Sequence, residues 1–466
     1  MLTGSGPFQT GRAVRRVQAA WTEGLSWLTV EGQSSRGSGY GNAISLGSPE
    51  RRLLDLDQMG APAFYDPNSP DEQPVALPNA PIRRINDHIG LQPPLSRRGH
   101  GPGVLLFLNS TKGVERSPKP LDPGPVQKWA EEGFAVAFTT GIPSGSTVQK
   151  LLTEAENAFR ESPEIVDIQN KFAVIGSPDA SHLTKPTLLH TRQDETVKIT
   201  NELVQKHSYP VASGTFVLPT SADYDPGSAS VAHTRSLVFL RKHLGGPHFD
   251  LEAIWDEHCY FEFEARSVAK TMATMVAEPY VNHVPTMTGG VGRENLTRFY
   301  RDHFIFSCVS PLDSQTHESV YGAVRNRNPA DARLQVISRT VGPDRVYLML
   351  IADEFIYHIT HDRTVDWLLP QVPPTGKKLA IPMMAVVNIR GDRLYNEHIW
   401  WDQATALMQC GILPTHLPYP TPEGQPKMTI RIPAAGVETA NMLVDETQGK
   451  SNEMLGEGWG LIKHAD

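Results

Sequence analysis

The chain has 466 residues and a formal net charge of -8, with 39% hydrophobic and 20% charged residues. This composition is typical of globular proteins, and the acidic balance argues against a nucleic-acid-binding protein, which would need a basic surface. No run of 18 or more apolar residues occurs, so we expect no membrane-spanning helix.

The N-terminal residues and the cysteines indicate the compartment. The first residues lack the apolar stretch of a secretory signal. Cys259, Cys308 and Cys410 are scattered, odd in number and without metal-binding spacing. We therefore expect reduced thiols and a cytoplasmic location.

Residues 1–78 are poorly patterned. Residues 33–41 are small and polar, and residues 66–71 are rich in turn formers. We predict an N-terminal segment that is partly disordered.

Residues 79–246 alternate between short apolar runs and helical patterns. The predicted strands are residues 104–108, 134–138, 172–175, 187–190 and 214–218, and the predicted helices are residues 126–132, 148–160, 195–206 and 228–244. Such alternation predicts an α/β domain with a parallel sheet covered on both faces.

Two segments of this region resemble the dienelactone hydrolase (carboxymethylenebutenolidase) family. They are Pro-Thr-Leu-Leu-His-Thr-Arg-Gln-Asp at 186–194 and Tyr-Pro-Val-Ala-Ser-Gly-Thr-Phe at 209–216. The family uses a Cys nucleophile, an Asp and a His. Here Ser177 follows the third strand without a nucleophile elbow, Gly214 occupies the His position, and only Asp194 remains. We therefore predict a truncated, degenerate α/β-hydrolase-like domain with a structural or docking role.

From residue 247 to 413 three helical patterns, an insertion loop at 305–332 and long strand patterns predict an α+β domain. Asp250 is placed to cap the first helix, whose apolar face includes His258, and the second helix follows Ser267 and stops at Pro279. Residues 272–304, 340–360, 366–370 and 397–413 resemble the SnoaL-like branch of the nuclear transport factor 2-like superfamily. The resemblance implies a cone, in which a curved antiparallel sheet and three helices enclose a pocket. Residues 414–466 are predicted to form a Pro-rich C-terminal extension with one helix at 436–445.

The last strand of the predicted cone, residues 394–403, has two different rows of side chains. One row contains Asn396, His398, Trp400 and Asp402; the other contains Tyr395, Glu397, Ile399 and Trp401. We expect the row with His and Asp to line the pocket. The same residues could instead be surface residues or a structural pair.

The resemblance implies that His398 and Asp402 do acid–base work, and we add His283 as the group that polarises a carbonyl oxygen. The predicted substrate-binding residues are Tyr280, Asn282, Glu354, His358, Asp366, Trp367 and Trp400. A metal site formed by His283, Glu354, His358 and His398 has no supporting spacing, so we predict neither a metal nor a cofactor.

We therefore expect a cofactor-free general acid/base enzyme of the polyketide cyclase, isomerase or dehydratase type, acting on a carbonyl-containing small molecule. The alternatives are a hydrolase of a lactone, ester or epoxide, and a non-catalytic small-molecule binding protein. Ile399 and Trp401 are predicted on the convex face, where an apolar row indicates a contact surface. We expect a homodimer through that face, or docking of the hydrolase-like domain there, and no nucleic-acid or membrane partner.

Overall fold

The computed structural model describes residues within the compact unit Ala61–Asp466. The described residues are 62, 64–108, 111, 114–115, 117, 122–141, 147–165, 172–175, 184–196, 199, 201–308, 324–326, 328–342, 350–423 and 427–463. Most of the predicted N-terminal segment lies outside these residues. The prediction that it is partly disordered therefore stays a prediction.

The first sheet has seven strands in the order β1-β2-β4-β3-β5-β6-β7. Its strands are β1 Arg83–Arg84, β2 Gly90–Gln92, β3 Gly103–Phe107, β4 Ala135–Thr139, β5 Phe172–Ile175, β6 Thr187–Arg192 and β7 Val204–Tyr209. Strands β4, β3, β5, β6 and β7 are parallel, whereas β1 and β2 form an antiparallel edge. The helices of this part are α1 Pro125–Glu131, α2 Val148–Arg160 and α3 Pro226–Leu244. The parallel sheet and most of its predicted elements are confirmed.

Two elements of this sheet differ from the prediction. The predicted helix at 195–206 is wrong, because none of the described residues in this range is helical and Val204–Tyr209 is the fifth parallel strand. The predicted strand at 214–218 is instead a 3-10 turn, Gly214–Val217, capped by Ser213. Full-length pairing of β7 with β6 outweighs the local helical pattern.

The second sheet has six strands in the order β12-β13-β14-β15-β8-β9. The strands are β8 Met275–His283, β9 Thr288–Val291, β12 Arg333–Val341, β13 Leu350–Thr360, β14 Lys378–Arg390 and β15 Arg393–Trp401. Neighbours are antiparallel except for β15 and β8, which are parallel. This is the sheet predicted for the cone. The short pair β10 Phe306–Cys308 and β11 Val324–Asn326 lies within the predicted insertion loop.

Three helical segments pack against one face of this sheet. They are α4 Leu251–Cys259 with a π-helical turn Tyr260–Glu264, α5 Val268–Ala273, and α6 Arg293–Phe299 with a π-helical turn Tyr300–Phe304. The side chains of Asp250 and Ser267 cap α4 and α5, as expected from the sequence. The helix predicted to extend to residue 278 is wrong in its second half, because β8 begins at Met275 and pairs with β15.

The hairpin between β14 and β15 contacts helix α1 of the first sheet. Gly391 has φ 61°, and a Cβ at this position would lie 2.0 Å from the Glu131 carbonyl oxygen. The buried Arg390 forms an ion pair with Glu131 at 2.8 Å, and the Gly391 N–H donates to Glu132 Oε2 at 3.1 Å. Only glycine fits this close approach.

The C-terminal residues form a small antiparallel sheet and two helices. They are α7 Gln403–Cys410, β16 His416–Tyr419, β17 Met428–Arg431, α8 Glu438–Val444 and β18 Gly460–Lys463. Helix α8 confirms the helix predicted at 436–445 and packs against β14. Among the described residues, no helix has the length and apolarity needed to cross a membrane.

Candidate functional site

The face of β15 that lies inside is opposite to the predicted one. Glu397, Ile399 and Trp401 are buried, with Glu397 only 2% exposed, whereas Trp400 is 40% exposed. Ile399 pairs with Ala385 of β14, which is also buried. Because side chains alternate along a strand, burial of this apolar row turns the other row outward. The predicted orientation of both rows is therefore wrong.

A cavity of about 180 Å³ lies between the helices and the inner face of the second sheet. Its apolar walls include Phe263, Phe304, Leu334, Phe355, Met383 and Ile399. Glu262, His283 and Glu397 also line it. We call this space the cone cavity. Asp256, Arg339 and Asp353 line it as well, so the cavity combines several ionisable groups with largely apolar walls.

His258, Glu262 and Glu397 form a buried cluster at the cone cavity, which we call the trio. His258 Nε2 lies 3.0 Å from Glu262 Oε1 and 3.8 Å from Glu397 Oε2. The closer contact is ionic and is not aligned as a hydrogen bond. Helix α4 and the following π-helical turn supply His258 and Glu262, and β15 supplies Glu397. Such π-helical turns are frequent at functional sites.

Thr274 fixes the orientation of the His258 ring. The Thr274 hydroxyl donates to the Thr271 carbonyl oxygen at 2.7 Å and lies 2.6 Å from His258 Nδ1. Because the hydroxyl hydrogen is already used, Nδ1 carries a proton and donates it to Thr274. Nε2 therefore faces the two carboxyl groups of the trio.

Burial and the neighbouring charges shift the pKa values of Glu397 and His258. Burial, together with the nearby Glu262 carboxylate, raises the pKa of Glu397 to about 8. Burial alone would lower the pKa of His258, but Glu262 and Glu397 raise it above its ordinary value. Glu397 is accordingly a carboxylic acid at neutral pH.

Tyr300 lies beside the trio at the start of the second π-helical turn. Burial and the two carboxyl groups raise the pKa of its phenol well above the ordinary value. Its hydroxyl has no well-aligned hydrogen bond among the described residues, although it lies near enough to the Glu262 carboxyl group to interact with it. The phenol therefore stays neutral and can donate a hydrogen bond.

His283 faces the cone cavity, as predicted. It is 1% exposed and packs among Phe299, Phe304, Trp367 and Trp401, with ring centroids 5.1–6.0 Å away. Burial lowers the pKa of His283 to about 3, so the ring is neutral. Neither ring nitrogen has a well-aligned hydrogen bond among the described residues, although the Thr288 backbone lies near enough to act on the ring. The neutral ring can therefore offer one donor and one acceptor to a molecule in the cavity.

A second polar network forms part of the cavity wall. The indole N–H of Trp255 donates to Asp353 Oδ2 at 2.9 Å, and Arg339 binds both oxygens of Asp353 at 2.8 and 2.7 Å. Trp255 also stacks on His258, with ring centroids 5.7 Å apart. The network holds Trp255 against the trio.

The structure contradicts the inward placement of His398, Trp400 and Asp402. His398 lies on the outer face between Tyr280 and Trp400, where partial burial lowers its pKa. Asp402 is exposed and caps helix α7, accepting from the Ala404 N–H at 3.0 Å and the Thr405 hydroxyl at 2.8 Å. Its acidic side chain serves the helix end and not the cavity.

The other predicted binding residues divide in the same way. Trp367 lines the cone cavity, whereas the remaining ones do not line it: Tyr280, Asn282, Glu354, His358 and Asp366. Glu354 accepts from Ser338, and His358 contacts Gln335. These side chains are on the outer face because their strand neighbours Phe355 and Tyr357 point inward.

None of the three members of the trio was predicted as a site residue from the sequence. His258 was noted on the apolar face of its helix, and a Glu four residues later is a spacing that brings side chains together. Glu397 stood in a row with Tyr395, Ile399 and Trp401. A single carboxyl group in an otherwise apolar row was the signal.

The described residues contain one group with metal-ligating geometry. The ligand atoms of His258, Glu262 and Glu397 all lie within 4.8 Å of one another, so the trio could hold a metal ion. The metal set weighed from the sequence does not converge, because His398 and His358 are on the outer face and His283 is inside.

The positions compared with the catalytic residues of dienelactone hydrolases lie at or near the first sheet, and only some of them are among the described residues. Ser177 lies outside the described residues. Asp194 has a side chain that is 72% exposed, near Arg192, and Gly214 begins the 3-10 turn. The described residues therefore do not assemble the catalytic set of a dienelactone hydrolase.

No family model matches the chain, and no curated protein matches it. Solved structures match about a third of it. A hypothetical protein with a ketosteroid isomerase-like fold from Catenulispora acidiphila, in complex with trimethylamine, is 12% identical, covering 34% of this chain and 93% of its own, at a TM-score of 0.23. A nuclear transport factor 2-like protein of unknown function from Burkholderia pseudomallei is 14% identical over 34% and 96%, at a TM-score of 0.23.

A proposed polyketide cyclase from Acidithiobacillus ferrooxidans is 13% identical over 34% of this chain and 94% of its own, at a TM-score of 0.25. Identities and TM-scores this low say nothing about the reaction of this chain. The resemblance of residues 79–246 to dienelactone hydrolases stays a prediction.

Proposed function

We propose that the chain is a cofactor-free general acid/base enzyme that enolises a small carbonyl compound in the cone cavity. The observation that carries this proposal is geometric. Glu262 and Glu397 face the same largely apolar cavity and are joined behind it by His258. Two carboxyl groups in different protonation states are the pattern expected of an acid and a base in one site.

The proposed step balances its protons within the trio. The Glu262 carboxylate removes a proton from the carbon next to the carbonyl, and the Glu397 carboxyl group gives its proton to the carbonyl oxygen. The product is an enol. His258, lying between the two carboxyl groups, returns the proton from Glu262 to Glu397. The His283 N–H is available to hold the carbonyl oxygen as it gains charge.

The size of the cavity limits the substrate class. A volume of about 180 Å³ is slightly larger than an engineered cavity of about 150 Å³ that binds benzene. It is smaller than the roughly 300–1,000 Å³ typical of sites for drug-sized ligands. We therefore propose a substrate with a single ring or a short chain, for which isomerisation, dehydration or ring closure can begin from the same enol.

The test is hydrogen exchange of cyclohexanone in deuterated water, followed by NMR. The full-length protein should accelerate exchange next to the carbonyl, and both Glu397→Gln and Glu262→Gln should reduce the acceleration by roughly 10²–10⁴-fold. The matched control is Glu354→Gln, which changes a carboxyl group on the outer face of the same sheet. That variant should keep the full rate.

Three outcomes would count against the proposal. Equal loss in the control and in the trio variants would place the effect on folding and not on chemistry. Exchange unchanged in both trio variants would remove the trio from the reaction. Cyclohexanone that binds in the cavity without any exchange would favour a non-catalytic binding protein.

A further inference from the structure

A second, larger cavity lies in the first sheet. Its volume is about 460 Å³, and it opens at the carboxyl ends of β3, β5 and β6, where it is lined by Phe107, Ile175 and His190. We call it the sheet-edge cavity. Strands β3 and β5 are neighbours in the sheet. The chain goes from β3 to β4 on one side of this pair and from β5 to β6 on the other side, so the strand order reverses between β3 and β5. In open parallel sheets, ligands bind at such points, and the volume suits a drug-sized molecule.

The walls of the sheet-edge cavity are mainly apolar. Besides the strand ends they come from α1, α3 and the 3-10 turn, including Trp129, Val217, Leu218, Ala229 and Ala232. The cavity is also lined by polar groups. His190 and Ser236 hydrogen-bond to each other, and Arg192 lies near Asp194, so we consider Lys128 and His233 as the groups that orient a ligand.

Lys128 supplies the donor. Its ammonium group lies 2.7 Å from Asp122 Oδ1, its only partner among the described residues, and Asp122 Oδ2 accepts from the Tyr224 hydroxyl. The lysine side chain is 14% exposed. An ammonium group has three N–H bonds, so two remain for an acceptor in the cavity. Donors left unpaired in such a place are costly, and a carbonyl oxygen of a ligand would remove that cost.

His233 supplies the acceptor. Its Nε2 lies 2.8 Å from Glu132 Oε1, and Glu132 Oε2 accepts from the Gly391 N–H, which holds the carboxylate in place. Burial and the Lys128 charge lower the pKa of His233 to about 4, so the ring is neutral. With its proton on Nε2, facing the carboxylate, the ring has an unprotonated Nδ1 that can accept a hydrogen bond.

The charged groups next to the proposed ligand atoms are paired, since Lys128 faces Asp122 and the neutral His233 faces Glu132, whereas Glu195 of the lining is exposed. We propose that the sheet-edge cavity binds an uncharged, largely apolar molecule whose carbonyl oxygen accepts from Lys128 and whose hydroxyl group donates to His233. This site is separate from the trio, and its occupation does not depend on chemistry in the cone cavity.

The probe is a fluorescent naphthyl ketone, 6-propionyl-2-(dimethylamino)naphthalene, titrated into the full-length protein. It has two fused rings, so it suits the sheet-edge cavity and exceeds the cone cavity. Saturable one-site binding with energy transfer from tryptophan is expected. The carbonyl-free propyl analogue should bind at least about 10-fold more weakly, since a hydrogen bond to a charged donor is lost. Equal affinity of the two dyes would overturn the proposed recognition.

Variants locate the dye. Ala232→Trp fills the sheet-edge cavity while leaving the Lys128–Asp122 ion pair intact, and it should weaken binding at least about 10-fold. Ile399→Phe is the matched control in the wall of the cone cavity and should leave binding unchanged. Circular dichroism checks that both variants fold. Unchanged binding to Ala232→Trp, or equal loss in both variants, would show that the dye binds elsewhere and would refute the assignment.

Discussion

Replacement of Glu397 by Gln should change how the stability of the protein depends on pH. Gln has nearly the shape of a protonated Glu but cannot lose the proton. In the wild-type protein, burial and Glu262 raise the pKa of Glu397 from the ordinary 4.5 to about 8. Between these values the folded chain keeps a proton that the unfolded chain has lost, so the free energy of unfolding falls as pH rises.

The magnitude follows from the pKa. At pH 6 the unfolded chain has already lost this proton, and each pH unit up to about 8 then costs about 1.4 kcal/mol. From pH 6 to pH 9 the wild-type protein should therefore lose about 3 kcal/mol through Glu397, and Glu397→Gln should not. His258 also has a raised pKa and loses stabilisation in the same direction, but it is present in both proteins.

Urea unfolding at pH 6 and pH 9, followed by circular dichroism, measures this difference. The expected result is a wild-type midpoint that falls with pH and a Glu397→Gln midpoint that falls much less. Parallel pH dependence in the two proteins would refute the reasoning, because Glu397 would then titrate alike in the folded and unfolded chain.

Three further changes test other parts of the account. Asp402→Ala should cost about 1 kcal/mol of stability, because the cap of α7 is lost. The rate of ketone exchange should not change, and loss of exchange in this variant would show that Asp402 belongs to the site. Gly391→Ala should lower the free energy of unfolding by more than the roughly 1–2 kcal/mol that a positive φ costs on its own, because the new Cβ would meet the Glu131 carbonyl oxygen. The control Gly376→Ala, at φ 68° with no atom near the new Cβ, should lose only about 1–2 kcal/mol. We still expect a homodimer through the outer sheet face, now through Trp400 and Met384, which are 40% and 46% exposed; sedimentation velocity should find Trp400→Glu monomeric, and a surviving dimer would contradict this.

Much of the fold was predictable because its signals are local. The apolar runs of β3, β4 and β5 and the caps at Asp250 and Ser267 match the structure closely. The errors arose where pairing between distant segments decides the structure. Val204–Tyr209 carries no strong strand pattern, yet it completes the parallel sheet beside β6.

The site was predicted less well, and the reason is a choice between two faces of one strand. Period-two alternation separates the rows of β15 but does not say which row is inside. The row with Ile399 and Trp401 buries more apolar surface, so it is the one that turns inward, and Glu397 goes with it. His258 and Glu262 come from a helix more than 130 residues earlier, and only the packed fold brings them to Glu397.

The protonation of Glu397 at neutral pH is the property on which the proposed reaction depends most. Carbon NMR of protein labelled at the glutamate side-chain carboxyl carbon, with Glu397→Gln to assign the signal, follows this group directly. The account predicts that the Glu397 signal titrates near pH 8, far from the bulk of the glutamates. A Glu397 signal that titrates between pH 4 and 5 would contradict it.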